Sequence, residues 1–341
     1  MRYLNIQKNI SYRLPLKGAI IGFGGVAENA HAPLLKEDPR FFIKAIVEPA
    51  PERILAAKRI FPEATVYRHI DDLFQKEELD FIDICTPPAY HAEAILKACE
   101  RKVNVICEKP LVTSMEELRK VIEAVQESDI VLFCVNNWKY APIWSKTIEL
   151  VNKGAIGEIK EISLTVLRTP KSGGGVSDWR RSKKIAGGGI LMDHGWHHIY
   201  FIHSLIKKEP IYILAKMKYL NELEDDVKVE FIYENSKADL YLTWRSAVRK
   251  NFGKILGEKG CIIIADDHLI LRNGFFVRYN FDTPLSKGSH HLEWMKPVLD
   301  EFFNEIMNKK KRGMNLKEAI TCLRLISLAY ESHKKNQPIR C

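Results

Sequence analysis

Three short stretches of this chain carry side chains whose types and spacing could do chemistry. Gly22-Phe23-Gly24-Gly25-Val26-Ala27 is a G-x-G-x-x-A turn. Its first glycine permits a tight turn and its second lets a pyrophosphate approach the backbone. The small third residue lets helix and strand pack closely, with the helix N-terminus facing the phosphates. Glu108 and Lys109 stand together in Cys107-Glu108-Lys109-Pro110, and Asp193 and His197 in Gly187-Gly188-Gly189-Ile-Leu-Met-Asp-His-Gly-Trp-His197-His198. A lysine, a carboxylate and a histidine are the groups needed to take a hydroxyl proton while hydride leaves the same carbon. Asp193 and His197 are spaced i, i+4, so on a helix they share one face, where a carboxylate can orient an imidazole. Taken singly, each has a plain alternative: an exposed lysine after a strand, and a surface ion pair on a helix. His194, His197 and His198 with Asp193 could also bind a metal, but the chain has no H-E-x-x-H, and no metal is expected.

Positioning such groups requires a framework, and the sequence supplies two rhythms. Apolar runs at 18–23, 41–48, 81–87, 103–110 and 130–136 alternate with helical patterns at 26–36, 50–60, 89–100 and 114–127. Short runs rich in Val, Ile and Phe suit strands buried on both faces of a parallel sheet, so residues 17–137 read as a doubly wound Rossmann domain. Residues 1–16 precede it as an extension. From 138 to 341 the pattern changes to strand-like runs at 158–168, 211–220, 226–234, 237–247, 260–265 and 267–272, with a weaker one at 277–281. Helical patterns appear at about 188–206, 294–308 and 315–333. Neighbouring strands with short connections predict a C-terminal α+β domain on a large, mainly antiparallel open sheet. In that frame Glu48 ends the second strand, where a carboxylate can accept both ribose hydroxyls of an adenosine and repel a 2′-phosphate. NAD is therefore expected over NADP; Arg53 could soften the preference, and a solvated strand end is the competing reading of Glu48.

Bulk properties narrow the classes. The chain has 341 residues with 46% hydrophobic and 28% charged content, an ordinary globular profile with room for two cores. No apolar run is long enough to span a bilayer, and the first residues lack the continuous apolar stretch of a signal peptide, so a cytoplasmic protein is expected. Seven cysteines are scattered without C-x-x-C, which argues for reduced thiols. The net charge of +9 could favour an anionic ligand, but its densest run, Lys309-Lys310-Lys311-Arg312, reads as a solvated loop; neither nucleic-acid nor membrane partners are expected.

Beyond the glycine turn, Thr86-Pro87-Pro88-Ala89-Tyr90-His91, Glu108-Lys109-Pro110 and the Gly188–His197 segment come in the order found in the Gfo/Idh/MocA oxidoreductases, and the chain resembles that family from about residue 17 to 206. The resemblance implies dehydrogenation at a secondary alcohol carbon of a sugar, polyol or sugar derivative. It implies that Gly22, Phe23, Gly24, Gly25, Val26 and Ala27 hold the pyrophosphate of NAD and Glu48 its adenosine ribose. Thr86, Pro87 and His91 would line the cofactor cleft with Asn137, and Glu108 would approach the nicotinamide ribose. Lys109 would point at the reacting carbon, across a Lys109–Pro110 bond that is often cis in such proteins, and Asp193 and His197 would complete the catalytic group. The family's Asn-Arg-Arg-Phe reads Asn137-Trp138-Lys139-Tyr140 here, which keeps a positive charge but departs at Trp138; Pro88 replaces a common Asn.

Trp138, Lys139, Tyr140, Trp179 and Arg180, with Lys109, Asp193 and His197, are the candidate substrate contacts. Rings can stack on the apolar faces of sugars, and Arg180 or Arg181 could bind a carboxylate or phosphate. Buried core is the competing reading of each tryptophan. His290-His291 could line the cleft or serve as a cap or surface pair. Either Lys109 or His197 could accept the proton. Two other functions fit the same residues: a redox-neutral, NAD-dependent sugar hydrolase or epimerase-like enzyme, and a non-catalytic dinucleotide-binding regulator, against which Lys109, Asp193 and His197 together speak. The open sheet face is expected to make a homodimer or homotetramer.

Overall fold

A computed structural model describes residues 12–170, 178–287 and 291–341; Gly173, Gly174, Gly175 and His290 lie outside them. The first half alternates strand and helix: β1 (Leu16–Ile21), α1 (Ala32–Glu37), β2 (Phe41–Val47), α2 (Pro51–Ile60), β3 (Thr65–Tyr67), α3 (Ile70–Lys76), β4 (Phe81–Ile84), α4 (His91–Glu100), β5 (Asn104–Cys107), α5 (Met115–Ser128) and β6 (Leu132–Cys134). The six strands lie in the order β3-β2-β1-β4-β5-β6, all parallel. The order reverses direction beside β1, and the crevice at the carboxyl ends of β1 and β4 is where such sheets take ligands. All four residues of β4 and of β5 are buried, as strands covered on both faces must be.

The second half holds α6 (Pro142–Asn152), β7 (Ile159–Leu167), the short α7 (Lys183–Ala186), α8 (Trp196–Ile206), β8 (Tyr212–Leu220), β9 (Leu223–Ile232), β10 (Lys237–Thr243), β11 (Lys250–Gly257), β12 (Gly260–Ala265), β13 (His268–Arg272) and β14 (Phe276–Asn280). It closes with α9 (Leu292–Met307), α10 (Met314–Lys335) and β15 (Ile339–Arg340). Nine strands form one sheet, β14-β13-β12-β11-β7-β10-β9-β8-β15, in which β7 and β10 are parallel and the other neighbours antiparallel. Helices α8 and α10 pack on one face. Strand β11 is missing from the sequence reading. Its alternation puts Asn251, Gly253, Ile255 and Gly257 inward and Phe252 and Leu256 outward, so the apolar pattern that signals a half-buried strand is scrambled.

Helix α9 returns to the first half. Its Met295, Val298, Leu299, Phe302 and Ile306 join the core that contains Leu16, Ile20, Phe41, Phe81 and Phe133. Phe302 sits 5.9 Å from the Phe81 ring, 5.8 Å from Phe133 and 6.4 Å from Phe41, so one side chain seals three strands. Among the described residues no helix is long and apolar enough to cross a membrane.

Candidate active site

The glycine turn begins where β1 ends. Gly22 has φ 84°, and a Cβ there would lie 2.9 Å from the Thr86 methyl, so the tight turn and the contact with the next crossover both require glycine. A Cβ on Gly24 would meet nothing within 4 Å, which leaves the space over the loop open. Ala27 is fully buried where the following helix meets the sheet, and Phe23 is fully buried beneath the turn. That helix opens as a widened turn of π type, Ala27–His31, before α1. Glu48, just past β2, accepts hydrogen bonds from Phe23 N at 2.7 Å and from Ala50 N at 2.9 Å. Its carboxylate thus pins the glycine turn from below, and each oxygen keeps a second lone pair. Arg53 faces Glu28 at 3.9 Å.

These residues fit a dinucleotide. The loop has the open cradle, Glu48 has unsatisfied acceptor capacity, and the Thr86 hydroxyl beside Gly22 is buried without a partner. Pro87 and Pro88 carry the chain from β4 into α4. His91, fully buried at the start of α4, lies 2.8 Å from the Thr86 carbonyl and 2.9 Å from that of Pro110. Placed between the two loops, it is a brace for the cleft and offers no free ring nitrogen to a ligand, a correction to its expected contact with the cofactor.

Lys109 leaves the end of β5, and the Lys109–Pro110 bond is cis. Its Nζ donates to Asp193 Oδ1 at 2.6 Å and to the Asp193 carbonyl at 3.1 Å, so groups 84 positions apart converge. Burial would raise the Asp193 pKa, but the Lys109 ammonium, with His194 and Arg180 behind it, holds the carboxyl well below its ordinary range.

Asp193 owes its position to the glycines before it. A Cβ on Gly189 would come 2.1 Å from the Glu224 carbonyl, so this segment can lie against β9 only as glycine. The buried Glu224 carboxylate accepts from Gly189 N at 2.7 Å, Leu191 N at 3.2 Å and Tyr330 Oη at 2.7 Å, capping the helix from a neighbouring strand. The helix then widens into a second π-type turn, Leu191–Gly195, before α8. Such turns recur at functional sites. This one overturns the expected Asp193–His197 pair: with the regular helical register lost, the carboxylate goes to Lys109. His197 Nδ1 faces Tyr200 Oη at 2.9 Å instead. Burial holds the His197 pKa well below its ordinary value, and the nearby Lys109 charge pushes the same way against Asp193. His198 Nδ1 bonds the His194 carbonyl at 2.9 Å and is pushed down to about 3 by burial.

The expected substrate contacts separate. Trp138 is 1% exposed and stacks on His197 at 4.9 Å, with Trp144 and Trp294 around it. It supports the histidine from the core and has no open face for a sugar, which corrects its assignment. Lys139 is drawn away as well, donating to Glu301 at 3.0 Å. Tyr140 lies beneath the Lys139 ammonium at 5.2 Å, and burial and Glu301 raise its pKa. Asn137 is buried at the end of the first half. Arg180 lies 4.4 Å over the Trp179 ring and is held by Asp178 at 3.2 Å, close enough to act on Asp193. Arg181 donates to the Pro170 carbonyl. His291 stacks on Trp294 at 3.7 Å and extends the wall behind Trp138. Tyr200, Glu224 and the buried His31 and Asp83 escape sequence reasoning: none lies in a motif, and all but Tyr200, which meets His197 three positions away, act through partners distant in sequence.

A hollow of about 560 Å³ lies elsewhere, between the start of α5 and α10, lined by Thr113, Met192, Tyr219, Leu323, Ile326 and Tyr330 among others; it contains none of Lys109, Asp193 and His197.

Each half of the chain matches a family model. Residues 16–136 match the model described as "Oxidoreductase family, NAD-binding Rossmann fold", and residues 144–263 match the GFO/IDH/MocA C-terminal domain. The levoglucosan dehydrogenase of Pseudarthrobacter phenanthrenivorans is 30% identical over 203 residues, 56% of this chain and 51% of that protein, so the match spans about half that relative's length. Oxidoreductase P35 of Formosa agariphila is 23% identical over 273 residues, 78% of this chain and 85% of its own. The solved levoglucosan dehydrogenase in complex with NADH and levoglucosan superposes with a TM-score of 0.82 at 20% identity, over 95% of this chain and 99% of that one; the likeness is one of fold.

Proposed function

The chain belongs to the Gfo/Idh/MocA oxidoreductases, and from its site we propose that it is an NAD-dependent dehydrogenase acting on a secondary alcohol of a sugar, polyol or sugar derivative. The observation that carries this is the meeting of Lys109 and Asp193 at 2.6 Å, at the carboxyl edge of the parallel sheet and close to the buried His197, whose pKa burial holds down. NAD, when bound, supplies the hydride acceptor. The glycine turn and Glu48 would hold its pyrophosphate and adenosine ribose, and Thr86 would line the cleft.

His197 accepts the hydroxyl proton in this reading. A neutral imidazole that donates Nδ1–H to Tyr200 leaves Nε2 with a lone pair, and a base must be neutral to act as one. Lys109, fixed by Asp193, supplies positive charge where alkoxide character develops. Asp193 aims the lysine rather than the histidine. Trp138 stacks beneath the His197 ring and holds its plane. The sugar class follows the relative that is named for levoglucosan. A panel of sugars and polyols with NAD, read at the absorbance of the reduced cofactor, tests the proposal. Stoichiometric NADH release is expected; turnover of a sugar without release would identify the redox-neutral chemistry instead.

We expect NAD to bind at least about tenfold more tightly than NADP, a difference of about 1.4 kcal/mol. Burying a 2′-phosphate against the Glu48 carboxylate sets like charges together. Glu48→Ser should bring the two affinities close to parity, measured by fluorescence titration of NADH and NADPH. Equal affinities in the unaltered protein would remove Glu48 as the discriminator.

A homodimer is proposed through the outer face of the nine-stranded sheet. That face leaves Phe252 43% and Leu256 39% exposed, and the edge strand leaves Phe276 62% exposed. Such a patch marks an interaction surface. Sedimentation at micromolar protein should give twice the mass of one chain, and a monomer there would refute the dimer.

A further inference from the structure

Beneath the cleft lies a cluster of charged groups that the proposed chemistry does not use. His31, in the widened turn after the glycine loop, is fully buried. Its Nδ1 is 2.9 Å from Asp83 Oδ2, on β4, and its Nε2 is 3.0 Å from Glu108 Oε1, just past β5. The other Glu108 oxygen accepts the Lys109 backbone N–H at 3.1 Å. One imidazole thus joins the helix of the glycine loop to the loop that carries the catalytic lysine. Cys85 Sγ lies 3.5 Å from His31 Nδ1, and the thiol, imidazole and Asp83 are close enough to suggest a metal site. The hydrogen bonds argue otherwise: both ring nitrogens face carboxylates, and a ring that donates from both has no lone pair for a metal.

We infer that His31 and Asp83 are positioning residues for the cofactor: a doubly donating His31 imidazolium, anchored by Asp83, fixes the Glu108 carboxylate at the mouth of the cleft, so that dinucleotide affinity depends on the proton held by His31. The inference rests on the cofactor reading above. Two carboxylates can both be satisfied by one imidazole only when it carries two N–H groups. Burial would lower the His31 pKa, but the charge and hydrogen bond of Asp83 act against it, and the value is raised well above the ordinary one. Burial would likewise raise Glu108, and the bond and charge of His31, then Lys109, hold it down. The groups facing the ring are Asp83 and Cys85 from the end of β4 and Glu108 from the end of β5. Cys107, Lys109 and, from β6, Cys134 surround Glu108. Burial pushes the Cys85 thiol up to about 12 and the Cys107 and Cys134 thiols well above their ordinary value, so the thiols stay neutral near physiological pH.

The signs predict opposite pH behaviour for two variants. In His31→Gln, Glu108 loses its cation and its carboxyl pKa rises, so affinity should fall as pH decreases. In Asp83→Asn, His31 keeps one counter-ion and titrates nearer neutrality, so affinity should fall as pH increases through that point. The test is NADH binding by fluorescence on the full chain, from about pH 5 to about pH 9. The unaltered protein should be flat near neutrality, and each variant about tenfold weaker on its own limb. Folded variants with unchanged affinity, or with a weakening that is the same at every pH, would overturn the inference. Should both variants fail to fold, 15N spectra of the histidine rings in the unaltered protein decide: His31 must be doubly protonated at pH 7, and a neutral ring there overturns it. An unaltered protein that binds no NADH instead removes the cofactor reading on which the inference rests.

Discussion

Lys109→Ala is expected to lower turnover at least about a hundredfold, the lower end of what acid–base groups contribute. The substitution removes the positive charge at the developing alkoxide and also strands the Asp193 carboxylate, which Lys109 holds at 2.6 Å. His197→Ala should cost a similar factor while leaving NAD affinity nearly unchanged, because its place is on the substrate side. Asp193→Asn should cost less than either, since an amide can still accept from the ammonium. Lys109→Ala and Asp193→Asn should combine to less than the product of their separate losses, because they remove one interaction. Single-turnover hydride transfer at saturating cofactor reads all of these. Near wild-type rates for both Lys109→Ala and His197→Ala would dismantle the proposed site and leave the fold intact.

Phe302→Ala should destabilise the protein by about 3–5 kcal/mol, the range for deleting a buried aromatic ring. Phe302 is fully buried against Phe41, Phe81 and Phe133, so its loss leaves a hole between the helix and three strands. A loss of that size is a large part of the total stability of about 5–15 kcal/mol. Urea denaturation would register it as a lower midpoint, whereas Phe302→Leu should cost visibly less. A loss below about 1 kcal/mol would mean that α9 is a surface attachment rather than part of the core.

The parallel sheet, the glycine turn, Glu48 and the Glu108-Lys109-Pro110 loop were readable because their signals are local. Each is a residue type at a strand end, and strands buried on both faces announce themselves by unbroken apolar runs. The antiparallel sheet was readable in outline, but β11 was not, because Lys250, Asn251, Gly253 and Lys254 interrupt the expected alternation. Side-chain pairing was harder. The i, i+4 spacing of Asp193 and His197 assumes a regular helix, and the widened turn Leu191–Gly195 breaks that assumption. The partners Lys109–Asp193, Gly189–Glu224 and His31–Glu108 are set by tertiary approach across 84, 35 and 77 positions, where no periodicity reaches. Trp138 sits beside His197 but supports it from the core, because hydrophobicity in sequence does not tell which face of a ring remains open.

The return of α9 to the first sheet also sets an order on biosynthesis. Strands β1 to β6 leave the ribosome early, yet the helix that covers their Phe41, Phe81 and Phe133 face begins only at Leu292. A nascent chain halted before that point carries a bare aromatic surface and is prone to aggregate. The nucleotide-binding half, although first to be translated, must wait for nearly the last segment before its core is complete, so a truncation meant to isolate it would have to carry α9 along.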